Sequence, residues 1–218
     1  MNQGKNMDTK KILATSLLFF SLNSYGATYH TNQKGHYVTA SQLYNVFQKV
    51  KRTSNISTKA LAKTFHYYEK NRYRKHLSPD YLAIADYTKL ASQKRLFIIN
   101  LHTGRVRKHL VAHGLKSGAK GGRVWRASNK EGSLKTPTGF FKVGSKEGTT
   151  WRKKYKYLGI EGLEWKNRNA RKREIILHTA SYVARGGRSY GCFAIKPQDR
   201  WQVFSRLKRA LLFSYVGK

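Results

Sequence analysis

Cysteine is almost missing from this chain: 218 residues carry one thiol, Cys192. A lone cysteine excludes an internal disulfide and leaves a buried inert thiol, a thiol paired between chains, or a reactive one. Acidic residues are scarce as well, with 10 Asp and Glu against 44 Lys and Arg and a formal net charge of +34. Such a field attracts polyanions. The charge is spread along the whole chain, so it sets solubility and adhesion and by itself names no function. No apolar run approaches the roughly 20 residues that a membrane-spanning helix needs. There is no internal repeat and no low-complexity tract. The glycine-rich stretch Gly114 to Gly122 (GLKSGAKGG) does not fit the G-x-x-x-x-G-K-[ST] phosphate loop, and it reads as a mobile loop bordering a site.

What is present begins with the pattern of an export signal over residues 1–27. Lys5, Lys10 and Lys11 precede the apolar run Ile12 to Leu22, and small residues suited to cleavage follow at Gly26 and Ala27. Met7 as the start gives a shorter signal of the same kind. An exported chain keeping one thiol in an oxidising compartment is an argument for use of that thiol. About 190 mature residues suit one domain with a real core and a small appendage.

Residues 28–79 read as a basic helical region. Leu43, Val46, Phe47 and Val50 recur at i, i+3, i+4, i+7 behind a cap at Ser41, and Leu61, Phe65 and Tyr68 share the face of a second helix. Ser78-Pro79-Asp80 marks the boundary. From residue 80 to 218 the period shifts toward two. Strands are expected at 81–88, 95–102, 106–113, 139–144, 173–179, 192–195 and 211–216, with a helix at 200–210. The fold class is α+β: a sheet-rich domain with a small helical N-terminal region.

Cys192 opens one expected strand, and His178 ends another thirteen residues earlier, with Gly186, Gly187 and Gly191 between them. Two adjacent strand ends can hold an imidazole within reach of a thiol, and an imidazolium there draws the thiol pKa down from about 8.5. Gly191 lets the backbone bend so that amides around Cys192 can face a tetrahedral oxyanion. By spacing alone, a small buried cysteine and a structural histidine are the commoner arrangement. His109 and His113 sit at i, i+4, but on an expected strand and without the zincin glutamate, so no metal site is read there.

The block from His178 to Cys192 (HTASYVARGGRSYGC) resembles the signature of the L,D-transpeptidase catalytic family, YkuD-type. It is closest to a diverged branch with His-x-Ala-x-Tyr-Val followed by Gly-Arg-Ser-x-Gly-Cys-x-Ala. The segments VAHG (111–114), SNKEGSLKTPTGFF (128–141) and GLEWKNRNARKREIILH (162–178) extend the likeness in order, so it covers roughly residues 80–218. The resemblance implies a thioacyl-enzyme mechanism on peptidoglycan stem peptides. Cys192 is then the nucleophile and His178 the base and later the acid. The Thr179 carbonyl orients the imidazole, and the amides of Gly191 and Cys192 bind the oxyanion. Ser189 shapes the loop. Arg188, Ser189, Tyr190 and His113 are the substrate-binding candidates, with Arg188 on a carboxylate and His113 bordering the cleft.

The resemblance also implies a thiol that carbapenems acylate, no metal or organic cofactor, and an exported chain of the periplasm or cell envelope. Beside stem peptides, other anionic envelope polymers fit the charge. The family's usual second histidine is Tyr190 here, and the polar residue two places after the cysteine is Ala194. Both departures leave the acyl acceptor open among a stem peptide, a protein lysine, a D-amino acid and water. The rival readings are an L,D-carboxypeptidase or hydrolase on the same fold, and a cationic polymer-binding protein with a structural cysteine. A nucleic-acid binder is disfavoured by the export signal.

Overall fold

The computed structural model describes residues 37–217. The expected signal over 1–27, with His30 and His36, lies outside the described residues. Helix α1 spans Ala40–Thr53 and buries Leu43, Val46, Phe47 and Val50, the periodic positions of the sequence. Its cap is Thr39 rather than Ser41. The Thr39 hydroxyl accepts from the Gln42 amide at 3.2 Å, and Gln42 Oε1 accepts from the Thr39 amide at 2.8 Å. Two end-group donors are thereby satisfied reciprocally, which Ser41 cannot match. Helix α2 spans Thr58–Asn71 and buries Ala60, Leu61, Thr64, Phe65 and Tyr68.

Eight strands follow: β1 (Tyr81–Asp86), β2 (Leu96–Asn100), β3 (Val106–His109), β4 (Gly139–Thr149), β5 (Lys156–Gly162), β6 (Ile176–Thr179), β7 (Phe193–Ile195) and β8 (Leu211–Tyr215). Helix α3 (Arg200–Leu207) joins β7 to β8. They form one sheet in the order β3-β2-β1-β8-β4-β5-β6-β7, with β1·β8 and β6·β7 parallel and the other pairs antiparallel. The sheet curls toward a barrel. Beyond β3 the Ala112 amide donates to the Ala194 carbonyl of β7 at 2.9 Å, joining the two ends of the strand order.

Strand β1 is apolar from Leu82 to Ala85 because both its faces are covered. Leu82 and Ile84 pack with Leu43, Phe47, Leu61 and Phe65 of the two N-terminal helices. Ala83 and Ala85 pack with Val203, Phe204 and Leu207 of α3. The alternation of period two thus sends successive side chains into different cores. Residues 37–77 therefore form one covering layer of the sheet. Each fully buried Leu or Phe in it contributes about 1.5–3 kcal/mol of transfer free energy.

Four strand expectations change, beginning with β4, expected at 139–144, which runs on to Thr149. β5 was not expected: its inward residues Leu158 and Ile160 alternate with Tyr157, Gly159 and Glu161, so the apolar stripe is two residues long and interrupted by glycine. β3 stops at His109 instead of 113, and β6 starts at Ile176 instead of 173. Glu174 there takes a left-handed φ of 54°, which no strand tolerates. Among the described residues no helix is long and apolar enough to cross a membrane.

Candidate active site

The parallel pair β6·β7 sets the geometry. Its register places Leu177 beside Phe193 and His178 beside Ala194. Leu177, Phe193 and Ile195 point into the core. By alternation Ile176, His178, Ala194 and Cys192, which precedes β7 by one residue, share the opposite face. Cys192 is thus a diagonal neighbour of His178, about 8 Å away between Cα atoms by standard strand spacing. The two strands lie side by side as expected from the sequence, but the thiol hydrogen-bonds to the Glu174 carbonyl rather than to the imidazole.

His178 is 5 % exposed. Its Nδ1 lies 3.0 Å from the Thr179 carbonyl. A carbonyl only accepts, so the proton sits on Nδ1 and Nε2 carries the lone pair, the form required of a base. Tyr155 stacks on the ring at 5.1 Å and fixes its plane. Burial holds the imidazole below its usual pKa, against the pull of the Thr179 carbonyl. The Cys192 thiol donates to the Glu174 carbonyl at 3.4 Å. Burial raises its pKa, while the Ile176 amide, the Arg173 guanidinium and its own amide pull it down and Glu174 adds to the rise. Both shifts favour the uncharged forms, so the resting pair is thiol and neutral imidazole rather than a preformed ion pair.

The loop before Cys192 is built by the residues of the Gly-Arg-Ser block. Gly191 has φ 123°, and a Cβ there would lie 2.8 Å from the Lys135 carbonyl, so only glycine fits without strain. Its amide was expected at the oxyanion. The structure instead has it donating to Ser189 Oγ at 3.1 Å, and the amides bearing on the sulfur are those of Ile176 and Cys192. Ser189 is buried, and its hydroxyl is spent inside the loop, donating to the Cys192 carbonyl at 2.7 Å. Arg188 stays exposed, but one end of its guanidinium is tied down. Its Nη1 donates to the carbonyls of Leu115 and Gly118, both at 3.2 Å, clamping the glycine-rich loop to the cysteine loop. The Ser189 hydroxyl and the Arg188 Nη1 therefore shape the loop, while the Arg188 side chain is otherwise exposed. Tyr190 is 75 % exposed at the rim and is free to meet one.

His113 requires a correction. It was expected to border the cleft, yet it is completely buried. Its Nδ1 accepts from Arg95 Nη2 at 2.8 Å, because a guanidinium can only donate. Its main-chain carbonyl accepts from the Ser189 amide at 2.9 Å. It supports the loop from behind. Burial, then the Arg95 charge, drive its pKa down to about 4, and the carbonyls of Gly118 and Ala119 offset only part of this. The folded chain therefore keeps His113 neutral where the unfolded chain binds a proton. Stability is present above about pH 6.5 and is lost as pH falls toward 4, by up to about 3 kcal/mol from this residue. Urea unfolding at pH 7.5 and pH 4.5 should show that loss, and His113→Gln, which can still accept from Arg95, should flatten it.

Two arginines of the site were invisible in so basic a sequence. Arg95 is one. The other is Arg173, whose Nη2 donates to the Lys135 carbonyl at 3.0 Å and to Ser133 Oγ at 3.3 Å, beside Gly191. Its charge is the cation that acts on the Cys192 thiol. Arg173→Ala should raise the thiol pKa and slow iodoacetamide alkylation at pH 7 by about three- to tenfold, with the pH profile displaced upward. Arg173→Lys should recover part of that shift. The described residues hold no group of three or more His, Cys, Asp or Glu arranged as metal ligands.

With this geometry in place, comparison with known proteins is direct. The family model for the L,D-transpeptidase catalytic domain matches residues 52–215. No curated protein matches the sequence. Among solved structures, the helical cell shape determining protein Pgp2 from Campylobacter jejuni is 17 % identical with a TM-score of 0.44, covering 64 % of this chain and 48 % of its own. An L,D-transpeptidase from Mycobacterium smegmatis is 15 % identical with a TM-score of 0.38, covering 62 % of this chain and 58 % of its own. An L,D-transpeptidase from Xylanimonas cellulosilytica is 16 % identical with a TM-score of 0.36, covering 94 % of this chain and 93 % of its own. The chain spans about half the length of Pgp2 and somewhat more of the mycobacterial protein. These likenesses are distant, and the family assignment rests on the match over 52–215.

Proposed function

The chain belongs to the L,D-transpeptidase catalytic domain family, and from that membership we propose that it is an exported cysteine acyltransferase of the cell envelope acting on peptidoglycan stem peptides. One observation carries the reading: His178, with Nδ1 pinned by the Thr179 carbonyl, shares a sheet face with the sole thiol at the next strand end.

The chemistry follows from the uncharged resting pair. The thiol leaves the Glu174 carbonyl and gives its proton to His178 Nε2 as Sγ attacks the carbonyl carbon of the stem's third residue. A tetrahedral oxyanion forms, and the backbone amides around Cys192 offset its charge. The C–N bond to the terminal D-alanine breaks, and His178 returns the proton to the departing amine. The thioester that remains is resolved by an incoming amine, which loses its proton to His178 as the C–S bond breaks, and His178 passes that proton to the departing thiolate. The strongly basic surface supports adhesion to an anionic wall.

The test is product analysis on tetrapeptide-rich muropeptides, with and without an added D-amino acid. An acyltransferase exchanges the terminal residue or forms a crosslink. Release of tripeptide and D-alanine alone identifies the hydrolase reading and ends this one.

A further inference from the structure

Several donors around Cys192 are already spent. The Gly191 amide goes to Ser189 Oγ, Arg188 Nη1 to the carbonyls of Leu115 and Gly118, and Arg173 Nη2 to the Lys135 carbonyl and Ser133 Oγ. The amides of Ile176 and Cys192 act on the sulfur itself. A tetrahedral oxyanion here gains most from a side-chain donor that is fixed in place and otherwise idle.

Two phenols lie close enough for the charge of the thiol to act on them, Tyr87 and Tyr182. Tyr87 is completely buried, and its hydroxyl donates to the Ala112 carbonyl at 3.1 Å. Tyr182 differs in both respects. It follows His178 in the short 3-10 helix Ser181–Arg185. Its ring is held from two sides. A Cβ at Gly187 would lie 2.7 Å from Tyr182 Cβ and Cδ2, so the ring needs glycine at that step of the cysteine loop. With Tyr155, the ring also packs against the cluster of Ala112, Ala180, Val183 and Ala194. Ala194 is the register partner of His178, and Tyr155 is the ring stacked on the imidazole. Tyr182 therefore lies over the sheet face that carries His178 and Cys192.

Among the described residues the Tyr182 hydroxyl makes no hydrogen bond, yet it is not shut off from solvent. The buried side-chain nitrogens and oxygens without a partner are Arg72 Nε, His109 Nε2 and His113 Nε2. Burial pushes the phenol pKa up, and Cys192, then Tyr155 and Tyr190, push it further. The hydroxyl thus stays a neutral donor beside the thiol, accessible to a ligand and without a resting partner.

We propose that Tyr182 is a catalytic residue whose hydroxyl donates to the oxyanion formed when Cys192 attacks, beside the backbone amides. This rests on the acyl-transfer reading above. As the Sγ–C bond forms, the carbonyl electron pair moves onto oxygen, and Tyr182 shares its proton with that oxygen without giving it up. When the C–N bond breaks, the carbonyl reforms and the hydroxyl is released. Because it has no partner at rest, the bond it makes belongs to the intermediate and favours the transition state over the ground state.

Tyr182→Phe keeps the ring and its packing and removes one oxygen. In the full mature chain, carbapenem acylation is timed by intact-protein mass spectrometry, beside iodoacetamide alkylation of the same thiol. Carbapenem attack passes through an oxyanion, and alkylation does not. Tyr182→Phe should slow acylation by about 10²-fold, the usual cost of one oxyanion donor. Its alkylation rate, the pH profile of that rate and the urea midpoint should stay native. Acylation at the native rate, or equal slowing of both reactions, would overturn the proposal, and so would a fall in the urea midpoint large enough to account for the slowing. A native chain that is alkylated but takes up no carbapenem would overturn the acyl-transfer reading, and the role of Tyr182 with it.

Discussion

Replacing Cys192 by alanine is expected to abolish covalent capture of a carbapenem altogether, as read by intact-protein mass spectrometry, while leaving the unfolding midpoint nearly unchanged. The side chain is small, and the hydrogen bond it donates is a long one, to the Glu174 carbonyl at 3.4 Å. His178→Gln is expected to slow acylation by about 10²–10⁴-fold, the usual contribution of a general base. The pH profile adds a sharper condition. Burial lowers the His178 pKa, and the base works only when neutral. Acylation should therefore stay high at pH 6.5 and decline only as pH drops through that lowered value. In a preformed thiolate–imidazolium pair the order is reversed, and activity persists until the thiolate itself is protonated. If Cys192→Ala still gains the adduct mass, or His178→Gln reacts at the native rate, the nucleophile–base assignment fails.

The largest loss of stability is expected from Arg95→Met. Arg95 is completely buried and its nitrogens bond to no carboxylate, although the charge of buried Asp86 acts on it. Its guanidinium is satisfied by neutral acceptors: Nε by the Val111 carbonyl at 3.0 Å, Nη1 by Lys89 and Gly122 at 2.9 and 3.3 Å, and Nη2 by His113. It also lies 4.7 Å above the Tyr87 ring. Burial lowers its pKa to about 10, so it keeps its charge at neutral pH. Methionine of similar length strands all four acceptors, and a loss of about 3–5 kcal/mol is expected in urea unfolding. The effect reaches the chemistry, because Arg95 holds His113, the His113 carbonyl holds the Ser189 amide, and Ser189 holds the Cys192 carbonyl. Even where Arg95→Met folds, carbapenem acylation should be slow. Arg95→Lys should rescue little, since one ammonium cannot span acceptors arranged as a fan. A variant as stable and reactive as the native chain would remove Arg95 from this account.

Much of this molecule can be read before any fold is known. The lone thiol had no competitor as nucleophile, and the period-two stretches announced a sheet. The spacing of Leu43, Val46, Phe47 and Val50 gave the buried face of α1 because helical geometry is local. The order His178, glycines, Cys192 was enough to suggest strand ends side by side, and the motif resemblance supplied the Thr179 carbonyl. Other features depended on what the chain meets in space. β5 forms because β4 and β6 flank it, and its own two-residue apolar stripe is too short to declare it. A carbonyl or hydroxyl has no address in sequence, so the inward hydroxyl of Ser189 and the clamp made by Arg188 Nη1 could not be seen until Gly118, Leu115 and the Cys192 carbonyl stood beside them. Among 44 basic residues, nothing local separates Arg95 and Arg173 from the solvated remainder. Burial and the acceptors around a guanidinium are tertiary properties, and they alone made one arginine a keystone of the loop and the other the cation beside the thiol.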